Sequence, residues 1–148
     1  MNDKSNILIV EDGDEDFETT IRAFRQVRMG NEVIRCNDGD SALDYLFRRG
    51  LYVDPASSPR PTLILLDLNL PGTDGREVLR KIKESENLRM IPVIVLTTSS
   101  DERDINKCYD LGANSFVQKP VSFDRFVESI RKIRDFWFEI VLFPEGKR

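Results

Sequence analysis

The sequence predicts an α/β fold, in which five parallel strands form one doubly wound sheet with helices on both faces. Short apolar runs alternate with amphipathic stretches along the chain, a pattern typical of repeated βαβ units. Four of the apolar runs end in polar residues, and the carboxyl ends of parallel strands share one edge of a sheet, where open α/β sheets bind ligands. The length of 148 residues favours a single domain that spans 1–148 and buries a hydrophobic core.

The apolar runs predict five strands, in chain order at about 6–11, 32–37, 62–68, 92–97 and 115–119. The third run is nearly continuous Leu and Ile, which indicates a strand that is covered on both faces. The second run is less apolar, because Arg35 stands between Ile34 and Cys36. We therefore expect the second strand at an edge of the sheet.

The amphipathic stretches predict five helices, at about 15–28, 39–49, 74–86, 101–111 and from 123 onward. Each carries residues at the three- and four-residue spacing of one helix face. In chain order these stripes are Phe17, Ile21, Phe24 and Arg28; Ala42, Leu43, Leu46 and Phe47; Val78, Leu79 and Ile82; Ile105, Cys108 and Tyr109; and Phe123, Phe126, Val127, Ile130, Ile133 and Trp137. Gly50 and Gly112 fit the ends of the second and fourth helices, and Ser122 fits the N-cap of the fifth.

Two segments fall outside the predicted elements. Residues 51–61 are rich in Pro and Ser, and we expect an ordered loop there, because both of its flanks belong to the same alternating pattern. The chain ends in an apolar C-terminal extension at about 138–148, which follows directly on Phe136 and Trp137. An ending this apolar is expected to fold back on the domain or to contact a partner.

Composition excludes several classes of function. A formal net charge of −4 provides no basic surface for nucleic acid, and no apolar run approaches the roughly 20 residues that cross a bilayer. Residues 1–5 lack the pattern of a signal peptide, so we expect a cytoplasmic protein. There is no histidine, which excludes His-based catalysis and His-ligated zinc within the chain. Cys36 and Cys108 form no CxxC pair, and we expect two buried thiols rather than a disulfide.

Polar residues at four strand ends predict a site for phosphoryl chemistry. Glu11 and Asp12 follow the first strand, Asp67 follows the third, Thr97 ends the fourth, and Lys119 follows the fifth. Carboxylates can gather a divalent cation, and an ammonium can pair with an anion. A carboxylate such as Asp67 can also attack a phosphoryl group to give an acyl phosphate.

These residues stand in the order of a known family, and the chain resembles the receiver domain of two-component response regulators over nearly its whole length. Four motifs carry the resemblance: Glu11-Asp12; Asp67-Leu68-Asn69-Leu70-Pro71 with Asp74-Gly75; Thr97-Thr98; and Lys119-Pro120. The resemblance implies a flavodoxin-like sheet of order 2-1-3-4-5. The Pro-rich connector and the apolar ending also resemble a narrower group, the stand-alone regulators that partner cyanobacterial phytochrome kinases.

The resemblance implies that Asp67 is the phosphate acceptor and that the donor is a separate sensor histidine kinase, of the phytochrome type in the narrower group. It also implies a Mg²⁺ site with four ligand groups: the carboxylates of Glu11, Asp12 and Asp67, and the backbone carbonyl of Asn69. Most receivers carry aspartate at the position that Glu11 occupies here.

The resemblance further implies a switch. Lys119 approaches the phosphoryl oxygens, Thr97 moves toward the phosphate after modification, and Phe116 then moves inward behind it. A cis peptide bond before Pro120 is also implied. The expected result is an altered surface around the fourth helix, fifth strand and fifth helix, which signals by protein–protein contact. A homodimer through the C-terminal half is a further expectation.

Other functions fit parts of the same pattern. A phosphate-relay intermediate and a receiver that binds partners without phosphorylation stay open as alternatives. A phosphatase of the haloacid dehalogenase type would need an aspartate where this chain has Asn69, and a turnover enzyme is not expected. A flavodoxin would need a first loop that cradles phosphate, whereas residues 11–16 are mostly acidic and would repel an anion.

Overall fold

The computed structural model describes residues 5–144, and within them five parallel strands form one sheet in the order β2-β1-β3-β4-β5. The strands are β1 (Asn6–Val10), β2 (Glu32–Cys36), β3 (Leu63–Leu66), β4 (Val93–Thr97) and β5 (Ser115–Gln118). The helices are α1 (Asp14–Gln26), α2 (Gly39–Phe47), α3 (Gly75–Glu84), α4 (Glu102–Asp110) and α5 (Phe123–Glu139). The predicted doubly wound sheet, its strand order and its five helices are confirmed.

Alternate side chains of the central strands enter two hydrophobic clusters, one on each face of the sheet. The cluster against α2, α3 and α4 receives Leu8, Val10, Ile64, Leu66, Val93 and Val95. The cluster against α1 and α5 receives Ile7, Ile9, Leu63, Leu65, Ile94 and Leu96. Each such side chain contributes roughly 1.5–3 kcal/mol by its burial. The third strand is therefore covered on both faces, as its composition predicts.

The outer strands and the two thiols also match expectation. β2 lies at one edge of the sheet and is only partly buried, and β5 lies at the other edge. Cys36 and Cys108 are both free and buried.

In the part of the chain that the structure describes, no helix combines the length and apolar character needed to cross a membrane.

Some details of the helices differ from the prediction. Arg28 lies beyond the end of α1 in the left-handed region, with φ of 56°, so it does not share the buried stripe. Arg48, with φ of 54°, takes the left-handed position at the end of α2, because the helix ends at Phe47; Gly50 is also left-handed, with φ of 58°, but lies two residues further on. Phe47 and Tyr109, which belong to the predicted apolar stripes, are 37% and 48% exposed rather than buried. A left-handed Arg48 is tolerated because its guanidinium donates hydrogen bonds to the connector that follows.

The connector at 51–61 is ordered, as predicted. It contains one short 3₁₀ turn at Pro55–Ser57 and follows another at Gly50–Tyr52. The hydroxyl of buried Ser58 lies within hydrogen-bond distance of two backbone carbonyls, that of Tyr52 in the first turn at 3.0 Å and that of Asp54, the N-cap of the second, at 2.9 Å. Tyr45 of α2 is buried whereas Phe47 is partly exposed, and the Tyr45 hydroxyl donates to the Pro59 carbonyl of the connector at 2.6 Å.

The apolar C-terminal extension is partly integrated into the domain. Phe138 belongs to α5 and is buried, and the Phe143 ring lies 5.5 Å from the Phe138 ring, measured between centroids. Ile140 and Leu142 are exposed, at 68% and 93%. Residues 145–148 of the extension lie outside the described residues. The assignment of 1–148 to one domain stays a prediction at both ends.

Two helices begin with a glycine that lies against the loop after β3. A Cβ atom on Gly75 would lie 2.3 Å from the backbone oxygen of Asp67, and one on Gly39 would lie 1.9 Å from the backbone oxygen of Thr73. Both distances are far shorter than any non-bonded contact. The absence of a side chain at these positions lets α2 and α3 hold the loop that carries Asp67.

We predict that Gly39→Ala lowers the free energy of unfolding by about 2 kcal/mol or more, since the added methyl group must displace the backbone at Thr73. The matched control is Gly30→Ala, where nothing lies within 4 Å of the added Cβ. The control should stay within about 1 kcal/mol of the native chain. Urea unfolding followed by circular dichroism measures both, and equal midpoints for the two variants would contradict the prediction.

Candidate functional site

The sheet brings the predicted strand-end residues to one edge. The Asp67 N–H donates to the Val10 carbonyl at 3.1 Å, and the Lys119 N–H donates to the Thr97 carbonyl at 2.7 Å. These bonds extend the ladders between neighbouring strands by one more residue. The polar side chains after β1, β3 and β5 therefore start from positions that the sheet itself holds.

Three carboxylates converge at this edge. Glu11, Asp12 and Asp67 each offer an oxygen atom, and these atoms all lie within 4.8 Å of one another. Glu11 is buried, Asp67 is partly buried and Asp12 is exposed. Carboxylates this close repel one another unless a cation lies among them. The donor set consists of oxygen alone, which suits a hard divalent cation such as Mg²⁺.

Lys119 lies between two of these carboxylates. Its Nζ is 2.5 Å from Oε1 of Glu11 and 3.6 Å from Oδ2 of Asp67, and its side chain is only 11% exposed. The ammonium therefore forms its shorter contact with Glu11 rather than with Asp67. A buried charge requires a partner of this kind, because desolvation of an isolated ion costs several kcal/mol.

Burial and pairing act on both groups of this ion pair. Burial has the largest effect on the Glu11 carboxyl and raises its pKa, the Asp67 charge adds to the rise, and the hydrogen bond from Lys119 opposes it. Burial also has the largest single effect on Lys119 and acts to lower its pKa. The hydrogen bond to Glu11 and the charges of Asp67, Glu11 and Asp16 together outweigh burial, so the pKa of Lys119 is raised. Lys119 is therefore a firmly protonated cation beside Asp67.

The two oxygens of Asp67 face different groups. The Asn69 N–H donates to Oδ1 at 3.4 Å, while Oδ2 is the atom that faces Lys119. Leu68, between Asp67 and Asn69, is fully buried, and its carbonyl accepts from the Gly75 N–H at 3.0 Å. The loop after β3 is thus anchored on both sides of the carboxylate.

Thr97 and Phe116 lie on the neighbouring strands. Thr97 is fully buried at the end of β4, and its hydroxyl oxygen accepts a long hydrogen bond of 3.5 Å from the Ser99 N–H. Phe116 pairs with Val95 across β4 and β5 and is only partly buried against the core. Its N–H donates to the Tyr109 hydroxyl at 3.1 Å.

The peptide bond before Pro120 is trans, because no cis bond occurs among residues 5–144. The prediction of a cis bond before Pro120, which came from the resemblance, is therefore wrong. The trans form is the one that most X–Pro bonds adopt, since it is lower in free energy.

The sequence motifs do not predict a polar bridge that joins α3 to α4. Arg76 at the start of α3 donates to Asp104 of α4 at 2.7 and 3.0 Å, and the Ser99 hydroxyl donates to the same carboxylate at 2.9 Å. The bonds from Arg76 and then Ser99 lower the pKa of Asp104. Arg76 also pairs with Asp74, the N-cap of α3. No local spacing signals this bridge, because its members come from three separate segments.

The chain matches the family model described as "Response regulator receiver domain" over residues 7–131. It is 40% identical over 148 residues to response regulator Rcp1 of Synechocystis sp., which covers 97% of this chain and 99% of that protein. It is similar in structure to the phosphorylated cyanobacterial phytochrome response regulator RcpA, with a TM-score of 0.88, 39% identity and coverage of 96% and 99%. The Mn²⁺-bound form of Rcp1 gives a TM-score of 0.87, 40% identity and coverage of 95% and 99%.

We predict that Asp12→Asn weakens binding of a divalent cation by at least about tenfold, because it replaces one of three converging carboxylates with a neutral amide. The control is Glu15→Gln, which removes one charge from the same acidic segment at an exposed position. The rise of the unfolding temperature with cation concentration measures the affinity. Equal affinities for Asp12→Asn and the control would show that the cluster binds no cation through Asp12.

Proposed function

This chain belongs to the response regulator receiver domain family, whose members are signalling proteins of two-component systems; from that premise we propose that Asp67 accepts a phosphoryl group from a sensor histidine kinase. One observation carries the proposal, the convergence of three carboxylates and one ammonium at a single sheet edge. The donor must be another molecule, because this chain contains no histidine.

The proposed reaction is a phosphoryl transfer to a carboxylate. An oxygen of Asp67 attacks the phosphorus of a phosphohistidine, the P–N bond breaks, and the imidazole of the kinase leaves with the electron pair of that bond. The Asn69 N–H holds Oδ1, which leaves Oδ2 on the side of Lys119. Positioning and neutralisation of charge account for most of the catalysis of such transfers.

The charge of the phosphoryl group is met by the residues around Asp67. Lys119 already lies 3.6 Å from Oδ2, and we infer that it shifts from Glu11 toward the phosphoryl oxygens. A bound Mg²⁺ would neutralise the remaining charge of these oxygens. We propose that its ligand groups are the carboxylates of Glu11, Asp12 and Asp67 and the backbone carbonyl of Asn69. The Mn²⁺-bound form of Rcp1 supports a divalent metal in this chain, and the convergence of Glu11, Asp12 and Asp67 supports the three carboxylates of the set.

We propose that Thr97 and Phe116 convert the modification into a change of surface. The Thr97 hydroxyl oxygen accepts a long bond of 3.5 Å from the Ser99 N–H, which does not use the hydroxyl proton, so the hydroxyl can donate to a phosphoryl oxygen. Phe116 is partly buried and lies on an edge strand, from which it can move inward as Thr97 shifts. The new charge at Asp67 then biases a two-state element formed by α4, β5 and α5.

The partner is proposed from the relatives. RcpA is named as a cyanobacterial phytochrome response regulator, and we propose that the kinase of this chain is also of the phytochrome type. We propose that the protein signals by protein–protein contact in the cytoplasm and turns over no external substrate. Its two free thiols fit that reducing compartment.

We further propose a homodimer through the C-terminal half. Three large apolar side chains at the end of α5 and just beyond it are exposed: Phe136, Ile140 and Leu142. Phe143, which follows them in the chain, folds back on Trp137, with the two ring centres 6.1 Å apart. A row of this kind supports a contact with a second copy of the chain.

Incubation with acetyl phosphate and Mg²⁺ tests the acceptor. We expect the native chain to gain the mass of one phosphoryl group, because Asp67 supplies the attacking oxygen, and Asp67→Asn to gain none. Asp110→Asn, an exposed aspartate in α4, is the matched control and should be modified like the native chain. Modification of Asp67→Asn to the native extent would overturn the proposal.

Size-exclusion chromatography with light scattering tests the dimer. We expect Leu142→Glu to weaken association of the chain, before and after phosphorylation, by at least about tenfold, since it would bury a charge in an apolar contact. Leu51→Glu is the control, since Leu51 is 92% exposed and lies in the connector. A native chain that stays monomeric in both states, or a Leu142→Glu chain that associates like the native one, would exclude this interface.

A further inference from the structure

Arg35 of β2 contacts the loop that carries the acid pair. Its Nε donates to the Glu11 carbonyl at 3.1 Å, and its Nη2 donates to the Asp12 carbonyl at 3.3 Å. Nη2 also lies 2.9 Å from the Asp14 carboxylate at the start of α1. The guanidinium lies over the Phe17 ring, 4.6 Å from its centre. The Arg35 side chain is only 24% exposed, so these contacts largely enclose it.

These contacts hold the guanidinium from two directions. A guanidinium is planar and presents its donors in a fixed fork, so its orientation determines where its hydrogen-bond acceptors lie. The Phe17 ring supports the guanidinium on one side, and the two donor contacts hold the backbone oxygens of the loop. Residues 11–13 belong to neither strand nor helix. The Glu11 N–H still donates to the Cys36 carbonyl of β2 at 3.0 Å, but the carbonyls of Glu11 and Asp12 are bound by Arg35. Arg35 thus joins β2, this loop and α1.

We propose that Arg35 is a positioning residue for the divalent-cation site: it holds the backbone at Glu11 and Asp12 so that their carboxylates stay within reach of Asp67. The inference rests on the proposed function, because it concerns the same cation site. Arg35 contacts the backbone and Asp14, and it is no ligand itself.

Charge and geometry predict opposite effects of removing Arg35. A guanidinium near three carboxylates repels a divalent cation, so the loss of its charge alone would strengthen cation binding. The loss of its hydrogen bonds frees the loop and separates the carboxylates, which would weaken cation binding. The sign of the change in affinity therefore distinguishes the two roles.

The test measures Mn²⁺ binding by electron paramagnetic resonance of the free ion. We expect Arg35→Met to weaken binding by about tenfold or more, as the loss of groups that orient metal ligands does. The control is Arg22→Met, because Arg22 also lies over an aromatic ring at 4.6 Å, that of Phe123. Arg22→Met removes the same charge and should bind Mn²⁺ like the native chain.

Arg35→Lys separates charge from geometry further. Lysine restores the positive charge but presents it as a point and lacks the planar fork, so native affinity should not return. Thermal unfolding without metal shows which variants are folded, and Arg35→Gln replaces Arg35→Met if the latter is unfolded. The proposal is overturned if the folded Met or Gln variant binds Mn²⁺ as tightly as the native chain or tighter, or if Arg35→Lys regains native affinity.

Phosphorylation kinetics supply a second measure. In reactions with acetyl phosphate, the metal concentration for half-maximal rate should rise in Arg35→Met, while the rate at saturating metal stays within about twofold of native. A fall in the saturated rate without a shift in that concentration contradicts a positioning role. If the native chain binds Mn²⁺ but is never phosphorylated, the proposed function fails and the Arg35 test still stands.

Discussion

The ion pair between Lys119 and Glu11 is the contact on which this sheet edge depends. It joins the end of β5 to the end of β1, across the two strands between them. Glu11 is 4% exposed and could not stay charged without a cation beside it. The same ammonium lies 3.6 Å from Asp67, so the partner that compensates the buried glutamate is also the cation nearest the proposed acceptor. A phosphoryl group on Asp67 would therefore compete with Glu11 for the Lys119 ammonium.

Two helices pack closely against the loop after β3, which carries Asp67. Gly39 and Gly75 let the first turns of two helices approach the backbone around Asp67 to distances that a side chain would forbid. Buried Leu68 fixes the loop from within, and the Asn69 amide fixes one carboxylate oxygen. The central carboxylate is therefore held by packing and backbone hydrogen bonds, whereas the exposed Asp12 beside it depends on its own loop.

The sequence predicted the features that one segment encodes by itself. Apolar runs that end in Asp67, Thr97 and Lys119 revealed both the strands and the shared edge, because strand ends and sheet topology leave little freedom. Contacts between distant segments left no such signal. In the sequence, Arg35 indicated only that the second strand lies at an edge of the sheet. The spacing of Arg76 and Asp104 did not indicate that they pair. Helix ends also escaped prediction where a side chain such as Arg48 is stabilised by a remote carbonyl.

The aromatic corner at the end of α5 has a spectroscopic consequence. The chain has one tryptophan, Trp137, whose ring lies 5.4 Å from that of Phe136 and 6.1 Å from that of Phe143. The tryptophan emission of the chain therefore arises wholly from Trp137, which is remote in sequence from the acidic residues. A fluorescence change on adding an acyl phosphate would thus be a signal transmitted through the domain, obtained without attaching any dye.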